Sequence, residues 1–236
     1  MPVIDDLKLT IQPDEVLQLR TVGANPRTRP RMASMVREIL SELDVQTLIR
    51  PRASYAFVPV TDMIPGQVTL AGGTRLHAPL LTHSMAGAAH LVPVVVTIGT
   101  AIDTAINDCF SSGASLKAVL LEEIANQFLF KAAEHCEKLI ATEAAGLNLQ
   151  TSGTLAPGHE GIAFDNQIKI LEMSGAGDIG IQMSRAGVMD PVHSTSFIIG
   201  AGARMRHWTQ AENCQTCPAR VKCPHRRETS NNAECA

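Results

Sequence analysis

The sequence predicts an α+β fold in which helices pack on one sheet that is at least partly antiparallel. The 236 residues are 45% hydrophobic, which is enough to bury one substantial core. Segments with helical and with strand periodicity follow one another without the regular alternation of a parallel α/β sheet. The β-branched run HLVPVVVTIG, residues 90–99, ends at a glycine before TAIDTAINDCF, which predicts a strand, a turn and a helix.

Helices are predicted first near the N-terminus, for PDEVLQLR and RMASMVREILSEL. The second carries one apolar stripe that we expect in the core, formed by Met32, Met35, Ile39 and Leu43. Residues 115–145 contain helix formers throughout and are expected to form one long helix or two with a break. Its apolar positions include Val119, Ile124, Phe128 and Ala132, and Cys136 is expected to pack there as a small hydrophobic residue.

Strands are predicted for SYAFVPVT and GQVTLAG, which Pro65 and Gly66 separate. Further along, SGAGDIGIQM places Gly175, Gly177 and Gly180 at the spacing of a dinucleotide-binding turn. That turn requires a strand before it and a helix after it. Here the helical FDNQIKILEM precedes the glycines and the alternating IGIQMS follows them, which favours a helix end and a turn that binds no nucleotide. We expect left-handed backbone angles there, so that Gly177→Ala costs about 1 kcal/mol.

Composition excludes several classes of function. The formal net charge is -3 and the chain has one Trp and one Tyr, which argues against a nucleic-acid interface. The N-terminus has no apolar stretch typical of a signal peptide, and the longest apolar run is short and contains Pro93. We therefore expect a cytoplasmic protein without membrane partners, whose six cysteines are reduced and serve as ligands or buried thiols.

The C-terminal cysteines give the strongest local signal. Cys214, Cys217 and Cys223 have the spacing Cys-x2-Cys-x5-Cys, and Cys235 is the natural fourth ligand, although Cys109, Cys136 or His225 are alternatives. One compact cysteine pair, with prolines after two of the ligands, favours a 4Fe-4S cluster over structural zinc or uncoordinated thiols. The sequence thus predicts a main domain, residues 1–207, and a Cys-rich metal-binding tail, residues 208–236.

Basic residues surround these cysteines, with Glu212 the one acid among them: Arg204, Arg206, Arg220, Lys222, Arg226 and Arg227. They are either a solvated basic face, or charges that offset an anionic cluster or bind an acidic partner.

Several motifs together resemble those of a known family. They are the Pro157–Gly158 turn, the following helix with Gln167, the segment VTIGTAIDTAI, and a Met-x-Pro-x-x-Ser-x-Ser pattern that begins at Met189. Over residues 16–227 the chain resembles the activation domain of cobalamin-dependent methionine synthase in its short stand-alone form. The resemblance implies a bent, mostly antiparallel (mixed) sheet with packed helices and a role in reactivating cobalamin.

In that family, cobalt that has become Co(II) is rescued by one-electron reduction coupled to methylation from S-adenosylmethionine. An Arg-x-x-x-Gly-Tyr turn binds this donor and lies over the corrin, and a later loop also faces the corrin. The resemblance therefore implies cofactor binding by these residues: Ala156, Pro157, Gly158, His159 and His193.

Two positions depart from the family pattern. Thr154 replaces the arginine, so we expect S-adenosylmethionine to bind weakly or not at all. His159 replaces the tyrosine, and its imidazole either approaches cobalt, as a ligand or through a cobalt-bound water, or is an ordinary loop histidine. The same alternatives apply to His193.

The expected function is the reductive activation of a corrinoid, from Co(II) to Co(I), in support of methyl transfer. Since 236 residues show no methyltransferase or cobalamin-binding module, we expect action in trans on a corrinoid protein or cobalamin-dependent methyltransferase. A low-potential electron donor would supply electrons to the cluster. The alternatives are a non-catalytic corrinoid or small-ligand binding module with a structural zinc or cluster, and an iron-sulfur reductase of another small substrate.

Overall fold

The structure is a computed structural model that describes residues 2–5, 7–17, 27–42, 45–158, 161–216 and 220–222. It has the predicted α+β fold, with a curled eight-stranded sheet in which the paired strands are antiparallel. The strands of this sheet are β1 (Val3–Asp5), β2 (Arg52–Tyr55), β3 (Val58–Ile64), β4 (Gln67–Leu70), β5 (Arg75–His77), β6 (His90–Thr97), β7 (Gln150–Leu155) and β10 (Ser194–Gly202). Two short strands, β8 (Gln182–Met183) and β9 (Met189–Asp190), form a separate pair.

Strand β6 is the centre of the sheet. Along one side it pairs with β10 over its whole length, and β10 in turn pairs with β7. Two strands share the other side of β6: β2 pairs near the C-terminal end of β6, and β3 pairs through Val58 and Pro59 near the start of β6. Beyond these two strands, β1 extends one half of the sheet, and β4 and β5 extend the other. The sheet therefore divides on one side of β6.

Helices cover both faces of β6, as its continuous apolar sequence requires. They are α1 (Pro13–Leu17), α2 (Arg29–Glu42), α3 (Val45–Leu48), α4 (Pro79–Ser84), α5 (Ala101–Ser111), α6 (Ser115–Gly146), α7 (Asn166–Ser174) and α8 (Gln210–Thr216). On one face, Val92, Val94 and Val96 pack in the main core with residues of α1, α2, α5 and α6. On the other, Val95 packs with Leu171 of α7. None of the described helices is both long and apolar enough to cross a membrane.

The long helix α6 confirms the helical prediction for residues 115–145 and has no break. Ile124, Phe128 and Ala132 are buried, and Cys136 is completely buried in the main core as expected. Burial raises the pKa of the Cys136 thiol to about 12. Val119, in contrast, is exposed, because the five-residue step from Val119 to Ile124 turns about 140° around a helix with 3.6 residues per turn.

The glycine-rich segment has the predicted order of helix, turn and strand, although the strand is only β8. Gly175 ends α7 in the left-handed conformation, and Gly180 is also left-handed. Gly177 has no such angle, since it lies in a short 3-10 turn, Ala176–Ile179, and an added Cβ would meet no atom within 4 Å. The prediction that Gly177→Ala is costly was therefore wrong.

Candidate functional site

The predicted corrin-facing turn directly follows β7. Ala156 and Pro157 are half-buried, and Gly158 is exposed with a left-handed φ of 88°. The amide of Gly158 donates a hydrogen bond of 3.1 Å to the carbonyl of Ile162, which closes the turn. His159 lies outside the described residues. The described part of the turn therefore presents backbone rather than a bulky side chain at Gly158.

Helix α7 lies next to this turn. Phe164, just before the helix, lies so close to Gly158 that a Cβ added there would be 3.9 Å from its ring. Within the helix, the buried Gln167 amide donates to the Met189 sulfur at 3.2 Å, which joins α7 to β9. The first contact joins the turn to the start of α7, and the second joins α7 to β9.

Residues in and beside α7 and β9 expose apolar side chains to solvent. Between 50% and 60% of the surface of each of four residues is accessible, and we call these four the apolar rim: Phe164, Ile168, Val188 and Val192. Single exposed apolar residues are ordinary on protein surfaces, and a group of them on neighbouring segments is a candidate interaction site.

His193 is buried just before β10. Its Nδ1 is in close contact with Oδ1 of Asp103, in the first turn of α5, and its Nε2 lies 3.6 Å from Oε1 of Glu122 on α6. The second oxygen of Asp103 accepts a 2.9 Å hydrogen bond from the amide of Val192. Each ring nitrogen thus faces a carboxylate, and a direct role of His193 in cofactor binding stays a prediction.

The residues after β10, 203–216, run along β7 and are called here the C-terminal segment. The amide of Met205 donates to the side-chain oxygen of Gln150, at the start of β7. Trp208 is 8% exposed and packs on Gly153. A Cβ added at Gly153 would lie 2.2 Å from the carbonyl oxygen of Trp208. The Asn213 side chain donates a 2.9 Å hydrogen bond to the carbonyl of Thr154. The segment therefore follows β7 from its first residue towards the turn.

Helix α8, which begins within this segment, carries Cys214. At its start, Thr209 and Glu212 form a capping box, in which the Thr209 amide donates to the Glu212 carboxylate at 2.6 Å and the Glu212 amide to the Thr209 hydroxyl at 3.3 Å. Hydrogen bonding by the Thr209 backbone lowers the pKa of Glu212. Sequence reasoning missed this feature, although the Thr-x-x-Glu pattern was visible.

Cys214 is buried, and as the neighbour of Asn213 it lies close to Thr154. Cys217, Cys223 and Cys235 lie outside the described residues. Among residues that are described, no group of three His, Cys, Asp or Glu side chains is arranged to hold a metal. Cys109 in α5 and Cys136 in α6 belong to the main core or pack against it. The metal ligand set therefore stays a prediction.

Comparison with family models and with curated proteins gives no match. Among solved structures, the MetH reactivation domain bound to AdoHcy superposes on this chain with a TM-score of 0.62. The sequence identity is 12%, and the match covers 94% of this chain and 85% of that chain. Similarity at this identity concerns the fold. The chain therefore has a fold similar to that of the MetH reactivation domain, in agreement with the fold expected from the sequence resemblance.

Proposed function

We propose that this protein caps the corrin of a separate corrinoid protein and reduces its cobalt from Co(II) to Co(I). The observation that carries the proposal is the hydrogen bond between Asn213 and Thr154. It fixes the helix that carries Cys214 to the strand that leads into the turn at Gly158. One face would thus receive the corrinoid, and an electron-carrying centre would lie beside it.

The turn and the apolar rim are suited to a corrin. A corrin is a broad and largely apolar disc, which a flat apolar surface accommodates better than a deep pocket does. Gly158 has no side chain to hold the disc away, and the exposed Phe164 and Val192 offer apolar contacts. In this proposal the corrinoid is the substrate, and Ala156, Pro157 and Gly158 contact it.

The second part of the proposal is a 4Fe-4S cluster held by Cys214, Cys217, Cys223 and Cys235. Iron-sulfur clusters are bound by cysteine thiolates, and a bound cluster supplies single electrons at potentials that reach about -700 mV. Cys214 suits this role because the residue is buried and its helix is fixed to β7. The exposed basic residues Arg204, Arg206, Arg220 and Lys222 would offset the negative charge of such a centre.

The distance between the two parts is short. Thr154 and Gly158 are four residues apart, and an extended chain spans at most about 3.6 Å per residue. The Thr154 carbonyl therefore lies within about 14 Å of the turn, and the Asn213 side chain lies 2.9 Å from that carbonyl. A small protein that keeps its electron donor near the docked cobalt needs no large domain motion between the two.

Docking is tested by equilibrium titration with Co(II) cobalamin, followed by the electron paramagnetic resonance signal of cobalt. Phe164→Ser and Val192→Ser remove exposed apolar contacts and should weaken binding at least about tenfold, with little change in stability. Leu147→Ser is the matched control, because Leu147 is 56% exposed but lies before the start of β7, away from the turn. If wild-type protein at saturating concentration leaves the cobalt signal unchanged, the docking proposal is wrong.

The cluster is tested by iron and sulfide analysis of anaerobically purified protein. Cys214→Ser should lose most of the iron, whereas Cys109→Ser should retain it. Stoichiometric zinc without iron, after expression in iron-replete anaerobic medium, would support instead a corrinoid-binding module with a structural metal. Iron-loaded protein that reduces other small substrates but leaves bound cobalt as Co(II) would indicate a different reductase.

A further inference from the structure

His193 connects the loop before β10 to three other elements. Its ring contacts Asp103 of α5 and lies 3.6 Å from Glu122 of α6. Its carbonyl accepts hydrogen bonds from the amide of Ile98 and the hydroxyl of Thr97, at the end of β6. The ring and the carbonyl of His193 thus tie the loop before β10 to α5, α6 and β6.

Asp103 binds the loop before β10 at two points, Val192 and His193. One of its oxygens receives the His193 ring, and the other accepts the amide of Val192. Hydrogen bonds to charged acceptors are the stronger kind, and this pair fixes both the side chain and the backbone of the loop. Val192 itself is 60% exposed.

We infer that Asp103, His193 and Glu122 form a clamp that positions the loop for docking, and that His193 is a positioning residue and not a cobalt ligand. The inference rests on the proposed function, because it assigns the clamp the task of fixing Val192 within the apolar rim. While the clamp is closed, both ring nitrogens face carboxylates, so the ring contributes to docking only through the loop that it holds.

The first test is amide hydrogen exchange on the full chain. Asp103→Asn replaces one of the two accepting oxygens by an NH2 donor, so that either His193 or Val192 loses its acceptor, and His193→Gln removes the ring that lies between the two carboxylates. In both variants the exchange of the Val192 and His193 amides should accelerate about 10- to 100-fold, the factor that corresponds to the loss of one hydrogen bond to a charged group. Asp108→Asn is the matched control, since it removes one exposed negative charge from the same helix α5.

The second test uses Co(II) cobalamin as the probe. With His193→Gln, the Kd for Co(II) cobalamin should rise about tenfold, the effect of one lost contact, while the nitrogen splitting of the bound cobalt signal stays the same as in wild type. Unchanged exchange at Val192 and His193 in both variants would overturn the clamp. Loss of nitrogen splitting in His193→Gln would also overturn it, because His193 would then be a cobalt ligand. If wild type binds no Co(II) cobalamin, the proposed function fails, and the exchange experiment still decides whether the clamp exists.

Discussion

The contact between Gly153 and Trp208 leads to a sharp prediction for Gly153→Ala. A Cβ at this position would lie 2.2 Å from the Trp208 carbonyl oxygen and 2.4 Å from two atoms of its indole ring. Carbon atoms in normal contact are about 3.5–4.0 Å apart, so the overlap exceeds 1 Å, and the carbonyl cannot rotate away as a flexible side chain can. Overpacking usually costs about 1–3 kcal/mol. We expect the upper end of this range or more.

The destabilisation by Gly153→Ala has an upper limit, because the C-terminal segment can detach from β7 instead of tolerating the clash. Lifting Trp208 off β7 would expose about 150–250 Å² of aromatic surface, which at about 25 cal/mol per Å² costs about 4–6 kcal/mol. If the clash exceeds this cost, the C-terminal segment leaves β7 while the rest of the sheet stays folded. We therefore expect Gly153→Ala to destabilise the native structure by about 3–6 kcal/mol, or to release the segment.

Trp208 reports on this contact directly, because it is the single tryptophan of the chain. Denaturant unfolding followed by circular dichroism gives the loss of stability, and tryptophan emission with acrylamide quenching gives the exposure of the indole. Gly177→Ala is the control, since no atom lies within 4 Å of its added Cβ, and it should be neutral or stabilise by about 0.4–1 kcal/mol. A wild-type unfolding midpoint together with wild-type emission in Gly153→Ala would refute the packing of the C-terminal segment on β7.

Three further predictions concern other parts of the structure. Gly175→Ala and Gly180→Ala should each destabilise the protein by about 1 kcal/mol or more, measured by denaturant unfolding, because both glycines have left-handed angles. The Thr209 backbone lowers the pKa of Glu212 in the folded protein, so the stabilisation of α8 by the Glu212 carboxylate is complete above the ordinary pKa of 4.5 and is lost as the pH falls through the lowered pKa. Glu212→Gln should abolish this pH dependence, measured by the exchange of α8 amides. Calorimetry should find no binding of S-adenosylmethionine at micromolar concentration, because Thr154 cannot form the paired contact of an arginine, and micromolar affinity would contradict this.

The central part of the fold could be predicted from sequence because its signals are local. The run His90 to Thr97 is apolar at nearly every position, which is typical of a strand buried on both faces, and the structure places it at the centre of the sheet. The helix before Gly175 was also visible in the residue order. The two left-handed glycines could not be separated from Gly177 by spacing alone, because the short 3-10 turn between them decides the backbone angles.

The parts of the candidate site that sequence did not reveal depend on contacts between distant residues. Asp103 and His193 are 90 positions apart, and Thr154 and Asn213 are 59 apart. No periodicity or spacing rule connects such pairs, since the sheet register brings them together. The turn at Gly158 and the cysteine spacing could be recognised as motifs, but the packing of α8 on β7 required the structure.

The central claim is most directly tested by a single-turnover reduction under anaerobic conditions. Chemically reduced protein, freed of excess reductant, is mixed with Co(II) cobalamin or a Co(II) corrinoid protein, and the Co(I) absorption is recorded over time. The account predicts that wild type forms Co(I) in proportion to the amount of reduced cluster that it contains. Cys214→Ser, at equal protein concentration, should form none. Reduced, iron-loaded wild-type protein that binds the corrinoid and leaves its cobalt as Co(II) would contradict the account.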